Sequence, residues 1–390
     1  MRFSRRTHWN TEENDLARAY RERVQANLPI ADLTVSNPVR CGFRYDGILD
    51  ALDNARSLDY DPQPKGLLEA REAVCSYYAD HGATVEADQV VLTTGTSEAY
   101  SFLFRLLCNP GSEIVVPHPS YPLFDFLADL NDVRIKPAPL VYDQGWQIDA
   151  EGFRRAITSE TRAIVLVHPN NPTGHFTKNW EGEELARLCR ESELSLIVDE
   201  VFLDYAFGDS VKSFAGGLAD VPVYVVSGLS KIAGLPQMKA AWVVTTGPFR
   251  REAMSRLEVI ADTFLSMNAP VQWALPKWLA GREAIQAQIR SRVRANIVEL
   301  DQQLSRQGMV ERLRTEGGWY AVLRIPALKP DAQTARELLE RGVWVHPGYF
   351  FGMPDSGWLV VSLLGQTEEF RAGVTTLVEY LGTNQGGNRI

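Results

Sequence analysis

In the stretch SGLSKIAGLPQMK, Lys231 follows the strand-like run VPVYVVS, and a second lysine, Lys239, stands eight residues on. A cation at the end of a buried strand is costly unless it is paired or put to chemical use. Four other strand-like runs end in polar residues of complementary kinds. QVVLTTG leads into the small residues TGTS ahead of an amphipathic helix, where free backbone N–H groups bind phosphate well. EIVVPHPSY ends on an aromatic, Tyr121, and AIVLVHPNNPTG on an amide, Asn171. LSLIVDE ends on a carboxylate, Asp199. A flat, phosphorylated aldehyde carrying a pyridine ring would use all five. The amine forms a Schiff base and the carboxylate keeps the ring nitrogen protonated. The aromatic stacks on the ring, and the amide bonds the phenolic oxygen.

Groups so far apart in sequence need a scaffold that gathers them. LLEAREAVCSYY and SEAYSFLFRLL carry apolar residues at helical spacing, the second through Tyr100, Leu103, Phe104 and Leu107. QVVLTTG, EIVVP, AIVLVHP, LSLIVDEV, VYVVS and AAWVVTT are short β-rich runs. Short buried strands separated by helices predict an α/β fold, a mostly parallel central sheet flanked by helices. Ligands bind such sheets beyond the carboxyl ends of the strands, where these polar residues fall. After residue 270 the texture changes to a long helix, three strand-like runs (WYAVLRIP, GVWVHPG, WLVVSLL) and a final helix. The expected division is a large α/β domain over 46–270 and a smaller α+β domain from 1–45 plus 271–390. A helix is expected in THWNTEENDLARAYRERVQ, and TNQGGNRI reads as a frayed tail.

Composition narrows the function classes. The 390 residues are 45% hydrophobic and 23% charged, as in ordinary globular proteins. The net charge of −9, with scattered basic residues, disfavours nucleic acid and anionic membranes as partners. Cys41, Cys75, Cys108 and Cys189 lie far apart with no CxxC, which fits a reducing cytoplasm. The basic start MRFSRR has no apolar stretch behind it, so it does not read as a signal peptide. No apolar run approaches the roughly 20 residues of a membrane span. His118, His168 and His346 lack metal-ligand spacing and read as packing residues, so no metal is expected.

The ordered set GTSEA, PSY, NNPTG, DEVF and SGLSK resembles the class I/II pyridoxal-phosphate aminotransferases of fold type I. LTVSNP, GGWYAVL and VWVHPGYFFG extend the resemblance from about residue 30 to about residue 380. It implies an enzyme moving an amino group between an amino acid and a 2-oxo acid, with pyridoxal 5'-phosphate as cofactor. It also implies a role for each matching residue. Lys231 is the Schiff-base lysine and proton carrier, Asp199 the pyridine-nitrogen partner and Asn171 the phenolic-oxygen partner. Gly95, Thr96 and Ser97 form the phosphate-cradling turn, and Tyr121 stacks on the ring. Tyr60, in DYDPQPKG, reaches the phosphate of a neighbouring subunit, which implies a homodimer. Taken singly, these residues have ordinary readings: a solvated lysine, a helix cap, a turn, rim aromatics.

Departures from the family pattern bear on specific contacts. Lys239 stands where arginine is usual near the phosphate, keeping the charge without the planar fork. Gly228 replaces a usual serine, and Ser227 and Ser230 beside it are candidate phosphate contacts. In WLVVSLL, Val360 occupies the position of an arginine that clamps the substrate carboxylate, and Arg371 falls on the following helix. Arg40 and Arg44, in SNPVRCGFRYD, are the candidates for that task. The gap keeps a decarboxylase or β-lyase on the same fold open as an alternative. A non-enzymatic regulator is disfavoured by the acidic balance, and a nicotinamide dehydrogenase by the lack of GxGxxG after the first strand.

Phe202 stands where the family has a tyrosine that bonds the phenolic oxygen. Without that bond, the Schiff base at Lys231 should titrate at higher pH than in a tyrosine-bearing form. We predict that Phe202→Tyr lowers the midpoint of the visible-absorbance titration. Coincident midpoints for the two proteins would reject the idea.

Overall fold

The computed structural model describes residues 2–208, 212–218 and 220–383. Residues 384–390, most of the expected tail, lie outside the described residues. After a short strand β1 (Ala31–Asp32), the β-rich runs of the middle of the chain enter one eight-stranded sheet. Its members are β2 (Val90–Thr93), β3 (Glu113–His118), β4 (Arg134–Tyr142), β5 (Trp146–Ile148), β6 (Thr161–Val167), β7 (Ser195–Asp199), β8 (Val223–Gly228) and β9 (Ala241–Thr246). The order across the sheet is β2-β9-β8-β7-β6-β3-β4-β5. The pairs β3–β4, β3–β6, β6–β7 and β7–β8 are parallel. β9 runs antiparallel to both β2 and β8, and β5 antiparallel to β4. All six runs read as strands from the sequence are strands, and the sheet is mostly parallel as expected.

β4 and β5 were not expected. RIKPAPLVY carries two prolines, which argue against a central strand. Here β5 pairs only with Leu140–Tyr142, so no strand pairs with the outer edge of β4 at Pro137 and Pro139; the Asp149 amide donates to the Pro139 carbonyl at 3.1 Å, a bond that needs no proline N–H.

Alternate side chains of each strand feed two cores. On β7, Leu196 and Val198 face one side, with Tyr77, Tyr78, Phe153, Leu185 and Trp278. Ile197 faces the other, with Tyr100, Leu103, Phe124 and Leu257. The first layer comes from α2 (Leu68–Asp80), α5 (Ala150–Ala156), α6 (Asn179–Glu191) and α9 (Ala269–Ala280). The second comes from α3 (Thr96–Leu107), α4 (Phe124–Leu130) and α8 (Arg250–Phe264). Period-2 burial on both faces is why these strands read as continuous apolar runs. α9, beyond residue 270, packs with α2 in the core of the large sheet.

The remaining chain forms a smaller antiparallel sheet of order β10-β11-β14-β13. Its strands are β10 (Glu311–Arg312), β11 (Tyr320–Arg324), β13 (His346–Pro347) and β14 (Trp358–Ser362). A further short strand, β12 (Val343–Trp344), pairs with β1 in parallel. α10 (Glu283–Leu304), α11 (Asp331–Glu340) and α12 (Thr367–Thr383) share a third core with this sheet. The N-terminal helix is shorter than expected. α1 (Asp15–Gln25) begins where Asn14 accepts a bond from the Ala17 amide. The residues before it are tethered to α4 and the turn after it instead: Trp9 donates to Asp129 at 2.8 Å, and Arg6 Nε donates to Asp132 at 2.7 Å.

Trp242 on β9 is fully buried and donates to the Tyr78 hydroxyl at 3.1 Å. We predict that Trp242→Ala costs about 3–5 kcal/mol in urea unfolding, from the cavity and the lost bond. A loss below about 1 kcal/mol would show that the core closes over the gap.

Candidate active site

Parallel strands present their carboxyl ends on one rim, and there the polar residues converge. Asp199 is the last residue of β7, paired with Val226 of β8. β8 runs two residues further to Gly228, and the short helix α7 (Leu229–Ile232) then carries Lys231. Asn171 follows β6, Tyr121 follows β3, and Thr96 starts α3 after β2. Because β9 runs antiparallel, it starts on the same rim, and Lys239 lies just ahead of it.

Asp199 is buried. Its Oδ1 accepts from the Val201 amide at 3.0 Å, and its Oδ2 from the Tyr100 hydroxyl at 3.1 Å. Burial pushes its carboxyl up to about 6, against the pull of those two donors and of Lys231. Burial likewise pushes the Lys231 ammonium down to about 8, with Asp199 opposing. Lys231 keeps partial solvent access. Its Nζ lies 5.0 Å from the centre of the Trp319 ring and 5.6 Å from that of Phe202. Tyr205 donates to the Lys231 carbonyl at 2.7 Å and fixes α7 from below.

Asn171 is nearly buried, and its Oδ1 has no hydrogen-bond partner among the described residues. Its turn is closed by Asn170 N to His175 O at 2.8 Å and Gly174 N to Asn170 O at 2.7 Å. Tyr121 packs edge-on against Phe124, and burial, with Asp199 nearby, pushes its hydroxyl up to about 12. At the other end, a Cβ on Gly95 would stand 3.1 Å from Lys239 Nζ, so that amine reaches the start of α3. The N–H groups of a first helical turn have no partner within the helix. Thr96 and Ser97 supply two of them beside the lysine. Ser227 is buried with its Oγ unpartnered among the described residues, and Ser230 is partly exposed on α7.

This donor set fits the phosphorylated pyridine aldehyde that the residue types suggest. It holds a perturbed amine, a buried carboxylate, an unsatisfied buried amide, and an anion cradle of helix N-terminus plus lysine. Other sequence candidates lie elsewhere. Tyr60 is 84% exposed, in a groove with Arg56, Pro62 and Trp273. Arg44 is exposed, pairs with Asp46 and lines a different groove with Lys277 and Trp278. Arg40 is exposed at the end of a short 3-10 turn. Val360 is fully buried between Val322 and His346 on neighbouring strands. Tyr100, Tyr205 and Trp319 were not among the expected site residues. Tyr100 sits one turn into α3, where its spacing reads as core, and only the position of β7 brings it to Asp199.

A family model described as aminotransferase class I and II matches residues 48–377. Glutamate-pyruvate aminotransferase of Haemophilus influenzae is 30% identical over 66% of this chain, which spans 65% of that relative's length. Mouse tyrosine aminotransferase is 25% identical over 92% of this chain and 85% of its own length. Among solved structures, an alanine aminotransferase from Pyrococcus furiosus superposes with a TM-score of 0.90. It is 24% identical, over 98% of this chain and 100% of that one. A Thermus thermophilus aspartate aminotransferase variant superposes with a TM-score of 0.86 at 25% identity, over 98% of this chain and 100% of that one.

Gly228 pairs with Ala241 of β9, and a Cβ there would stand 2.7 Å from the Ala241 Cβ and 2.9 Å from the Ala240 carbonyl oxygen. We predict that Gly228→Ser lowers stability by about 1–3 kcal/mol in chemical unfolding, as overpacking does. Unchanged stability would show that β9 shifts away without cost.

Proposed function

The chain belongs to the class I and II aminotransferases, and from that premise we propose that it is a pyridoxal-phosphate-dependent transaminase acting on an amino acid and a 2-oxo acid. The observation that carries this reading is buried Asp199 at the end of β7 facing the partly buried Lys231 just beyond the adjacent parallel strand β8, each pushed toward its neutral form by burial. Lys231 would hold the cofactor's aldehyde carbon, Asp199 its ring nitrogen and Asn171 its phenolic oxygen. Gly95, Thr96, Ser97, Ser227, Ser230 and Lys239 would surround its phosphate, and Tyr121 would lie on its ring. When bound, the cofactor supplies a carbonyl that condenses with amines and a ring that withdraws electrons from the substrate's Cα–H bond. The chain does the rest. Lys231, with its pKa near 8, takes up or yields a proton at the substrate α-carbon. Asp199, held by Tyr100 and the Val201 amide, would supply the negative charge that favours a protonated ring nitrogen. Trp319 and Phe202 keep water from one side of the amine.

The same reading extends to assembly. Tyr60 and Leu58 are strongly exposed, which suits a second copy covering this face and Tyr60 reaching the partner's phosphate. The chain would then divide near residue 270, residues 1–45 joining the smaller unit and α9 lying at the junction. No described helix is long and apolar enough to cross a membrane. Four free cysteines suit a reducing cytoplasm.

The names of the relatives make alanine, glutamate and tyrosine the first donors to try. With cofactor and an oxo acid present, we predict amino transfer from at least one of them. Lys231→Ala should lose roughly 10²–10⁴-fold from proton transfer alone. Release of ammonia or carbon dioxide in place of transfer would favour the lyase or decarboxylase. Borohydride treatment that leaves no cofactor on Lys231 would overturn the reading.

A further inference from the structure

His175 closes the Asn171 turn and has no part in the chemistry above. Its side chain is 3% exposed and lies between two carboxylates from distant parts of the chain. Nε2 is 3.1 Å from Glu181 Oε2, in the first turn of α6. Nδ1 is 3.7 Å from Glu316 Oε2, in the segment leading to β11. Both carboxylates are fixed independently of the ring. Glu181 accepts from the amides of Ile148 at 2.8 Å and Lys178 at 2.6 Å. Glu316 accepts from the Phe176 amide at 3.1 Å and pairs with the Lys178 ammonium. Neither ring nitrogen has a well-aligned hydrogen bond to its carboxylate, so what joins the ring to both is charge. The neutral imidazole carries none; the imidazolium is attracted to Glu181 and Glu316 together.

The backbone is drawn together at the same place. The Glu316 amide donates to Gly174 O at 3.2 Å. Gly174 has φ +68°, and a Cβ on it would stand 2.4 Å from Gly317 O. Each end of this contact leads to the site. Asn171 precedes His175 by four residues, and Trp319, beside the Lys231 amine, follows Glu316 by three.

We propose that His175, as an imidazolium between Glu181 and Glu316, is a positioning residue that locks the Asn171 turn onto the Thr315–Trp319 segment. The catalytic consequence rests on the role given to Asn171 above; the latch itself does not. Burial opposes charge on His175, but Glu181 and Glu316 outweigh it and hold its pKa above the ordinary histidine value. Lys178 and His168 also face the ring. Lys178 disfavours its charge, and buried His168, pushed down to about 3, stays neutral beside it. A pKa raised by folding gives stabilisation that is complete below the unfolded value and lost as pH rises through the folded one. The lock therefore opens on the alkaline side.

Amide hydrogen exchange over residues 168–178, corrected for intrinsic rates, tests this on protein loaded with pyridoxal phosphate and on cofactor-free protein. Between pH 6 and pH 9.5 the wild type should lose protection by a factor clearly larger than any change that His175→Gln shows over the same range. His175→Gln should show the low protection at both pH values. His175→Lys, which keeps a cation, should retain protection at pH 9.5. Wild-type protection that does not change with pH, or His175→Gln protection equal to wild type at pH 6, would overturn the proposal. Protein that binds no cofactor but shows the expected exchange pattern would count against the catalytic reading and leave the latch standing.

Discussion

Two opposite charges set at the ends of neighbouring parallel strands are the constraint around which this molecule is organised. Either Asp199 or Lys231 alone in such a setting would cost several kcal/mol. Side by side they moderate each other, yet each is pushed toward its neutral form. Such a pair is poorly stabilising in itself and useful only if held in place. The fold supplies that hold from several directions: Tyr100 from α3, the Val201 amide beyond β7, and Tyr205 under α7. Apolar layers on both sheet faces keep bulk water from relaxing the pair.

Topology explains how six distant segments serve one spot. β2, β3, β6, β7 and β8 all run toward the same rim, so each deposits its terminal residues there. The reversed strand β9 extends the logic. Entering from that rim, it lets the loop before it place Lys239 beside Gly95, across from the Asp199 end of the site. The smaller sheet contributes from above through Trp319, whose approach runs past Gly174 and the buried His175 cluster.

Much of this was legible because strand-end chemistry is local. Asp199, Asn171 and Lys231 each follow a run of β-branched residues, and burial on both faces makes such runs plain. What stayed hidden depends on contacts between distant segments. Tyr100 read as part of an apolar helix face and Trp319 as the start of a strand, since nothing in their surroundings reveals the charged residue that each meets. His175 drew no reading of its own, because its two carboxylates lie 6 and 141 residues away. β4 was concealed by its prolines, which fit because no strand pairs with that part of its outer edge. The start of α1 was misplaced because Trp9 and Arg6 are held by α4 and the turn after it, a tether that helical periodicity does not register.

The nearness of Trp319 to the central amine has an optical corollary. An indole 5.0 Å from that nitrogen would pass its excitation to any chromophore seated there and so emit little while the site is filled. As the site empties, its fluorescence would return. Of the nine tryptophans, this one thus carries an unlabelled gauge of occupancy, built from a side chain that also walls the site.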